Sequence, residues 1–429
     1  MNKAFDNLRN HRHYNRSIDA IRLVSIVGST EIILKGVGFI TGILIVRLLP
    51  IQEYAFYTLA NTMLGTLVVF TDSGISNGVL ALSGKDWKDP KKLGVILATG
   101  LDLRKKFAAV TLVIATPIIL YLLLKNEASW LSAILIMLSL IPAFYAALSD
   151  SLLEITPKLH QDIENLQKNQ LKVGLGRLLL TLSTIFIFPF TFVIVLASGL
   201  PQIYGNLKLK KINSKFVDVQ QKPDPTVRKN ILAIVYKLLP NIIFFAFSGQ
   251  IVIWILSVFG NSNELASIGA LGRFSILIGL FTSVLSTLFI PRFSRLEDNK
   301  SLIIKAFLFF QVLLFIFSIV VILFVFLFPI QMLWILGSSY SDLSTELFLI
   351  ILSNCIGLIA SMTGNLMGSR GHFLNPIIVI AMNLCTVTAA FFIWDLSTLQ
   401  GILYYSILYQ CISLAVNYSF SFYKLILNK

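Results

Sequence analysis

About twelve stretches of this 429-residue sequence are each apolar over a length that crosses a bilayer, and no other feature constrains the fold as strongly. A helix rising about 1.5 Å per residue needs roughly 20 apolar residues to cover ~30 Å of hydrocarbon. Runs such as Val24 to Arg47, Phe107 to Leu124, Ile231 to Phe259 and Leu302 to Pro329 reach that length. In lipid every peptide N–H and C=O must be satisfied within the protein, so a spanning chain is either helical or a closed barrel; continuous runs of this length predict helices. A residue content 56% hydrophobic and 13% charged exceeds what the core of a water-soluble domain requires. The expected fold is an all-α polytopic membrane protein of about twelve transmembrane helices. The least distinct pair, Leu171 to Phe188 and Pro189 to Tyr204, is divided at Pro189.

The bases collect in every second gap between these runs. All but five of the 35 lysines and arginines lie in the N-terminal tail, in the alternate gaps and at the C-terminus. Such an asymmetry in short loops sets orientation, so both termini are expected in the cytoplasm and the location is the inner (cytoplasmic) membrane. The net charge of +14 then faces anionic headgroups of membrane lipids, not a nucleic acid. The tail before Val24 is polar and lacks the short apolar core of a cleavable signal. Cys355, Cys385 and Cys411 all fall in apolar runs, where they behave as small hydrophobes.

The longest hydrophilic interruption, Lys208 to Asn230, carries Pro223 and Pro225 among seven bases and joins the sixth run to the seventh. It divides the chain into an expected N-terminal lobe, 1–220, and a C-terminal lobe, 221–429, with six spans in each. Six spans return the chain to its starting side, so a repeat between the lobes would be parallel. Each lobe opens on the same pattern, a long helix, a tight turn bearing Glu53 or Glu264, and a second helix. A further polar segment, Asp150 to Gln170, places Leu152, Ile155, Leu159, Ile163 and Leu166 at spacings of three and four, which predicts an amphipathic interfacial helix bent at Pro157.

Few residues offer chemistry. Gly36, Gly38 and Gly42 approach a dinucleotide-binding pattern, but the last glycine is one residue late and no strand precedes them; Gly38 and Gly42 have the small-xxx-small spacing of close helix packing. His11 and His13 lack the further ligands a metal needs. No nucleophile and base set, no metal cluster and no cofactor motif is present, and short external loops leave no room for the acceptor and donor of a glycan polymerase or ligase. No enzymatic activity is expected. The informative residues are polar groups at membrane depth, since an unpaired charge there costs about 2.5–3.5 kcal/mol. Lys35, Lys237 and Arg273 are candidates to converge on one wet cavity as an anion site, with Asn61 and Gln250 as polar lining. Glu31 and Asp72 are acidic residues in or at the end of these runs. Glu31 and Lys35 also stand four apart, where they can neutralise one another. Pro240 with Asn241 predicts a bend in the seventh span.

The run Gly42 to Tyr57, with Arg47, Leu48, Leu49, Glu53 and Tyr54, followed by Asp72, Gly74 and Ile75, resembles the N-terminal signature of the Wzx-type polysaccharide flippases of the MOP superfamily. Pro291 and Ser294 at the end of the eighth span, and Gly337 with Tyr340 before the tenth, agree with it. Pro50 and Ala55 depart from it, each standing where the family often has glycine. The resemblance implies a V-shaped pair of six-helix lobes that flips undecaprenyl-diphosphate-linked oligosaccharide repeat units, for O-antigen or capsule, by alternating access. It also implies glycan polymerase machinery as a partner, and coupling to an ion gradient with Glu31 or Asp72 as the carrier of a proton or Na⁺. Two other carriers compete with this expectation. A cation-coupled multidrug or metabolite antiporter of the same superfamily should line its cavity with acids, and a major-facilitator carrier should carry paired bases with Asp-Arg between spans two and three, which are missing from Ser73 to Lys92.

Overall fold

The computed structural model describes residues 28–297 and 299–427; the histidines and bases of the N-terminal tail lie outside them. The described chain is helical throughout. Helix α1 covers 28–48, and α2 (Ile51–Asp72), α3 (Ile75–Lys85), α4 (Pro90–Lys125), α5 (Trp130–Leu153), α6 (Ile155–Leu159), α7 (Ile163–Ile185) and α8 (Thr191–Asn213) complete the first half. The second half comprises α9 (Pro225–Phe259), α10 (Ser262–Ser294), α11 (Lys300–Leu327), α12 (Pro329–Leu336), α13 (Ser344–Gly368), α14 (Pro376–Ile393) and α15 (Leu399–Phe422). Among the described residues ten helices are long and apolar enough to cross a membrane, against the twelve spans expected. The other two expected spans fall on α1 and α7, which are not among the ten; the first half of α7 carries Gln167, Lys168, Asn169, Gln170 and Lys172.

Local chemistry sets the helix ends. The first N–H groups of a helix have no intrahelical acceptor, and a short polar side chain just before them supplies one. Asp89 accepts from the N–H groups of Lys91 and Lys92, Asp224 from Val227, Asn261 from Glu264, Asn299 from Ser301 and Asn375 from Ile377. Helix α8 follows Phe190, which cannot cap it, and help comes from a neighbour: the Glu53 carboxylate accepts from Thr191 N–H at 2.7 Å while the Thr191 hydroxyl donates to the Glu53 carbonyl at 2.6 Å. Glu264 accepts from Leu399 N–H at 2.9 Å at the start of α15. Both glutamates stand in the first turn of the second span of their half, and both reach the first residue of the sixth. The paired turns read from the sequence are therefore one structural device used twice.

Small residues let these helices approach closely. In the first half α8 packs most extensively on α5, with Gly199 against Ala143; in the second, α15 packs on α13, with Gly357 against Gln410 and Gly364 against Asn417. The segment from Asp150 to Gln170 is not a surface helix. Helix α5 continues to Leu153, α6 makes one turn containing Pro157, and α7 begins at Ile163. Leu152, Ile155 and Leu166 are buried with Ile75, Leu93, Leu209 and Ile212 in a cluster at the basic end of the bundle. The apolar periodicity there reports burial against protein. Helix α9 runs through Pro240 without interruption; the Asn241 and Pro291 side chains lie outside the described residues.

Contacts tie the halves at both ends. At the basic end Ile231 and Val235 of α9 enter the cluster just described, Arg228 pairs with Asp102 at 2.7 Å, and the Asp224 N–H donates to Thr99 Oγ1 at 3.0 Å. The linker lies against α4, where Asp218 N–H donates to the Pro90 carbonyl at 3.0 Å and the missing Cβ of Gly94 makes room for the Asp218 carbonyl. Hydrogen bonds from the Gln221 side chain and the Gln220 N–H hold the Asp218 carboxyl below the usual carboxylate range. At the opposite end Asn126 donates to the Ser257 carbonyl at 3.0 Å, Ser262 donates to the Asn126 carbonyl at 2.8 Å, and Arg47 lies 5.1 Å from the Trp334 ring centroid.

A Cβ built on Gly78 lies 3.5 Å from Ile231 Cβ, at the near edge of disulfide geometry. The double variant Gly78→Cys and Ile231→Cys, with Cys355, Cys385 and Cys411 replaced, is expected to crosslink α3 to α9 under mild oxidation. A mobility shift on non-reducing gels after cleavage in the linker checks this, and two separate fragments would show that these helices are not in contact.

Candidate functional site

A cavity of about 660 Å³ lies between the halves at mid-depth, lined by α2 and Ala147 of α5 from one side and by α9 and α10 from the other. Thr58, Asn61, Thr62, Gln250 and Arg273 supply its polar groups, and Arg273 is the one charged side chain among the lining residues. Three of the expected binding residues, Arg273, Asn61 and Gln250, therefore meet in one place. Arg273 lies eleven residues into α10, about 16 Å from its start at the helical rise, which is membrane depth.

Arg273 is held by the opposite half. Its Nε donates to the Tyr54 hydroxyl at 3.1 Å, and its guanidinium carbon lies 5.8 Å from the ring centroids of both Tyr54 and Tyr57. Tyr54 is fully buried and stacks on Tyr57 with centroids 6.0 Å apart, so the two rings form a fixed platform of negative faces for a cation. The aliphatic part of the side chain lies on Gly42 of α1, where an added Cβ would stand 3.0 Å from Arg273 Cδ. The glycine expected from its spacing to serve helix packing serves instead as a seat for this arginine, and Gly38 faces open space. No carboxylate among the described residues pairs with Arg273. A guanidinium offers five N–H donors in a planar fork, more than one tyrosine hydroxyl takes up, and the remainder suit a phosphate oxygen pair.

The other expected residues stand elsewhere. Lys35 is half-buried on α1 beside Leu34 and outside the central lining, and Lys237 is exposed on α9. Neither has a hydrogen-bond or ion-pair partner among the described residues, and Lys35 does not pair with Glu31, which is exposed. Asp72 ends α2 in a network: its Oδ1 accepts from the Ser76 N–H at 3.1 Å, from the Ser76 hydroxyl at 2.8 Å and from Arg104. Arg104, whose side chain is 3% exposed, also donates to the Leu148 carbonyl and to Ser151 Oγ at 2.8 Å. This network bolts α2, α3, α4 and α5 together.

Two polar features escaped the sequence reading. Arg104 and Arg177 look like loop bases, but each lies well inside its helix, because α4 and α7 begin many residues before their apolar runs. Arg177 donates to the Ser198 carbonyl at 3.1 Å and shares a cavity of about 250 Å³ in the first half with Asp150, Gln170 and Gln202. Tyr54 and Tyr57 carried no signal as cation partners, since tyrosine near a helix start is ordinary at a membrane interface.

Removing Arg104 leaves Asp72 without its countercharge inside the bundle, which for buried pairs costs roughly 3 kcal/mol. Arg104→Ala is expected to lower the thermal midpoint of the detergent-solubilised protein clearly. Asp72→Asn keeps an oxygen acceptor for Ser76 and Arg104 and is expected to cost about 1 kcal/mol. Equal midpoints for wild type and Arg104→Ala would remove the bracing role.

No protein-family model matches the sequence. No curated protein matches it either. Solved structures do. The lipid II flippase MurJ in its inward closed conformation superposes with a TM-score of 0.72 at 12% identity, covering 93% of this chain and 87% of that one. An inward-facing multidrug resistance MATE family transporter of the MOP superfamily gives 0.69 at 15% identity over 89% of this chain and 93% of that one. An outward-facing structure of such a MATE transporter gives 0.62 at 13% identity, covering 94% and 95%. Identities this low speak for architecture alone. The chain is a multi-pass membrane protein with the fold of the MOP superfamily transporters and flippases.

Proposed function

We propose that this protein flips polyprenyl-diphosphate-linked oligosaccharide repeat units across the bacterial cytoplasmic membrane, with both termini in the cytoplasm, for a surface polysaccharide such as O-antigen or capsule. One observation carries the reading: among the described residues the cavity between the halves has a single charged lining side chain, and it is an arginine without a carboxylate partner. A buried cation cradled by tyrosine faces costs free energy unless the occupied state repays it, and a diphosphate does so through charge-assisted, bidentate hydrogen bonds. An organic cation would meet repulsion in the same place. Asn61, Thr58, Thr62 and Gln250 add neutral donors and acceptors around the charge.

The chain supplies the remaining requirements in separate parts. Arg273 holds the diphosphate, the space between α2 and α10 admits a hydrated head, and the exposed apolar faces of α11 and α14 meet acyl chains. Lys35 and Lys237 stand on the first helix of each half, where bases partnerless in this conformation assist anion entry. Alternating exposure requires the contacts at the two ends to open in turn: Asp102 with Arg228 at the basic end, Arg47 with Trp334 at the other.

Cells lacking the protein are expected to accumulate lipid-linked repeat units on the cytoplasmic face. Arg273→Ala, produced to the same membrane level, is expected to restore less than about a tenth of wild-type export, the loss of one charge-assisted bidentate contact. Gly42→Val, which forces the arginine off α1, should reproduce that defect, and Arg273→Lys should restore export in part because it keeps the charge and loses the fork. Full export by the Arg273→Ala variant would sink the anion site and favour an antiporter of the same fold.

A further inference from the structure

The central cavity has a side chamber of about 440 Å³ within the second half, enclosed by α9, α10, α13 and α15. It joins the central cavity through Gln250, Ile253, Ile268 and Gly272, which line both, so it opens beside Arg273. Its size falls within the ~300–1,000 Å³ of small-molecule sites. None of its lining residues is charged, yet about half carry a hydroxyl or an amide.

From this chemistry we infer that the chamber is the carbohydrate subsite, taking the neutral, hydroxyl-rich sugars next to the diphosphate. The inference rests on the flippase reading and adds the part of the cargo that reading leaves unassigned. Gln250 and Gln410 have side-chain amides with no hydrogen-bond partner among the described residues. Gln410 lines the chamber, and its amide lies over Gly357, whose missing Cβ leaves it the space. Asn354 donates to Ser275 Oγ at 2.7 Å and keeps its carbonyl oxygen as an acceptor. The Tyr409 hydroxyl accepts from Asn383 at 3.3 Å and keeps its proton to donate. Its half-buried ring, 6.5 Å from that of the buried Tyr405 and tilted 32° from it, offers one aromatic surface to the apolar face of a pyranose.

Each of these amides offers both a donor and an acceptor, which is what vicinal hydroxyls require and what a phosphate or an ammonium does not. An ionic ligand would find no countercharge, and an aliphatic one would strand the amides unpaired, at a cost. Division of labour follows. Arg273 reads the diphosphate common to all such lipids, and Asn354, Tyr409 and Gln410 read the sugar.

The test compares two probes by competition binding to the purified full-length protein: undecaprenyl diphosphate, and the lipid-linked oligosaccharide extracted from cells lacking the protein. Wild type should bind the oligosaccharide form about tenfold more tightly, the yield of one or two net hydrogen bonds and a ring contact. The double variant Asn354→Ala with Gln410→Ala should lose that margin and bind undecaprenyl diphosphate as wild type does. Gly249→Val is the second variant: its added Cβ meets no atom within 4 Å, so folding is preserved while the chamber narrows, and the same loss is expected. Equal affinity of wild type for both probes, or variants that weaken both probes alike or neither, would overturn the assignment. Failure of wild type to bind undecaprenyl diphosphate at all would instead overturn the flippase reading, and the chamber's role with it.

Discussion

A peptide group in hydrocarbon has no water to bond, and many of the helix starts in this bundle are closed by a polar side chain. Short polar residues before α4, α9, α10, α11 and α14 close their own helices. Where none is available, as before α8, a glutamate from a neighbouring helix does so. A carboxylate at a helix start is favoured twice, by the hydrogen bond and by the positive end of the helix dipole. Because Glu53 and Glu264 sit in the first turn of α2 and α10 and bond the first residues of α8 and α15, they help to fix the relative height of each helix pair. The likeness of the two halves is thereby a likeness of interactions.

On that scaffold the polar groups separate by role. Arg104 and Asp72 are spent on bracing, with nearly every donor of Arg104 directed at a carbonyl, hydroxyl or carboxylate of its own half. Arg273 differs in that its partners are two aromatic faces and one hydroxyl from the opposite half, with no carboxylate or carbonyl among them. Burial alone does not distinguish these arginines. The number and charge of their acceptors does.

The architecture was legible because its cause is simple: apolar length gives spans, and base asymmetry alternates with them. The division at Pro189 emerges as the gap between α7 and α8, and Arg273, Asn61 and Gln250 were visible as polar interruptions of apolar runs that also share a cavity. Arg104 and Arg177 were not, since a base near the edge of an apolar run looks the same whether its helix stops there or continues for four turns, as α4 and α7 do. Gly42 shows a different limit. Its spacing to Gly38 is genuine, but what fills the space left by a missing Cβ is decided by a residue on the other half of the chain, and no local pattern carries that information.

The arginine belongs to one half and its tyrosines to the other, so its solvation shell is divided across the surface along which the halves meet. Any motion that parts α10 from α2 must strip the guanidinium of Tyr54 and Tyr57 and find it a substitute. An unloaded carrier would bear that loss in full, whereas one holding an anion would exchange one set of partners for another. Under the proposed mechanism, idle cycling would then be slower than loaded cycling because of this same contact.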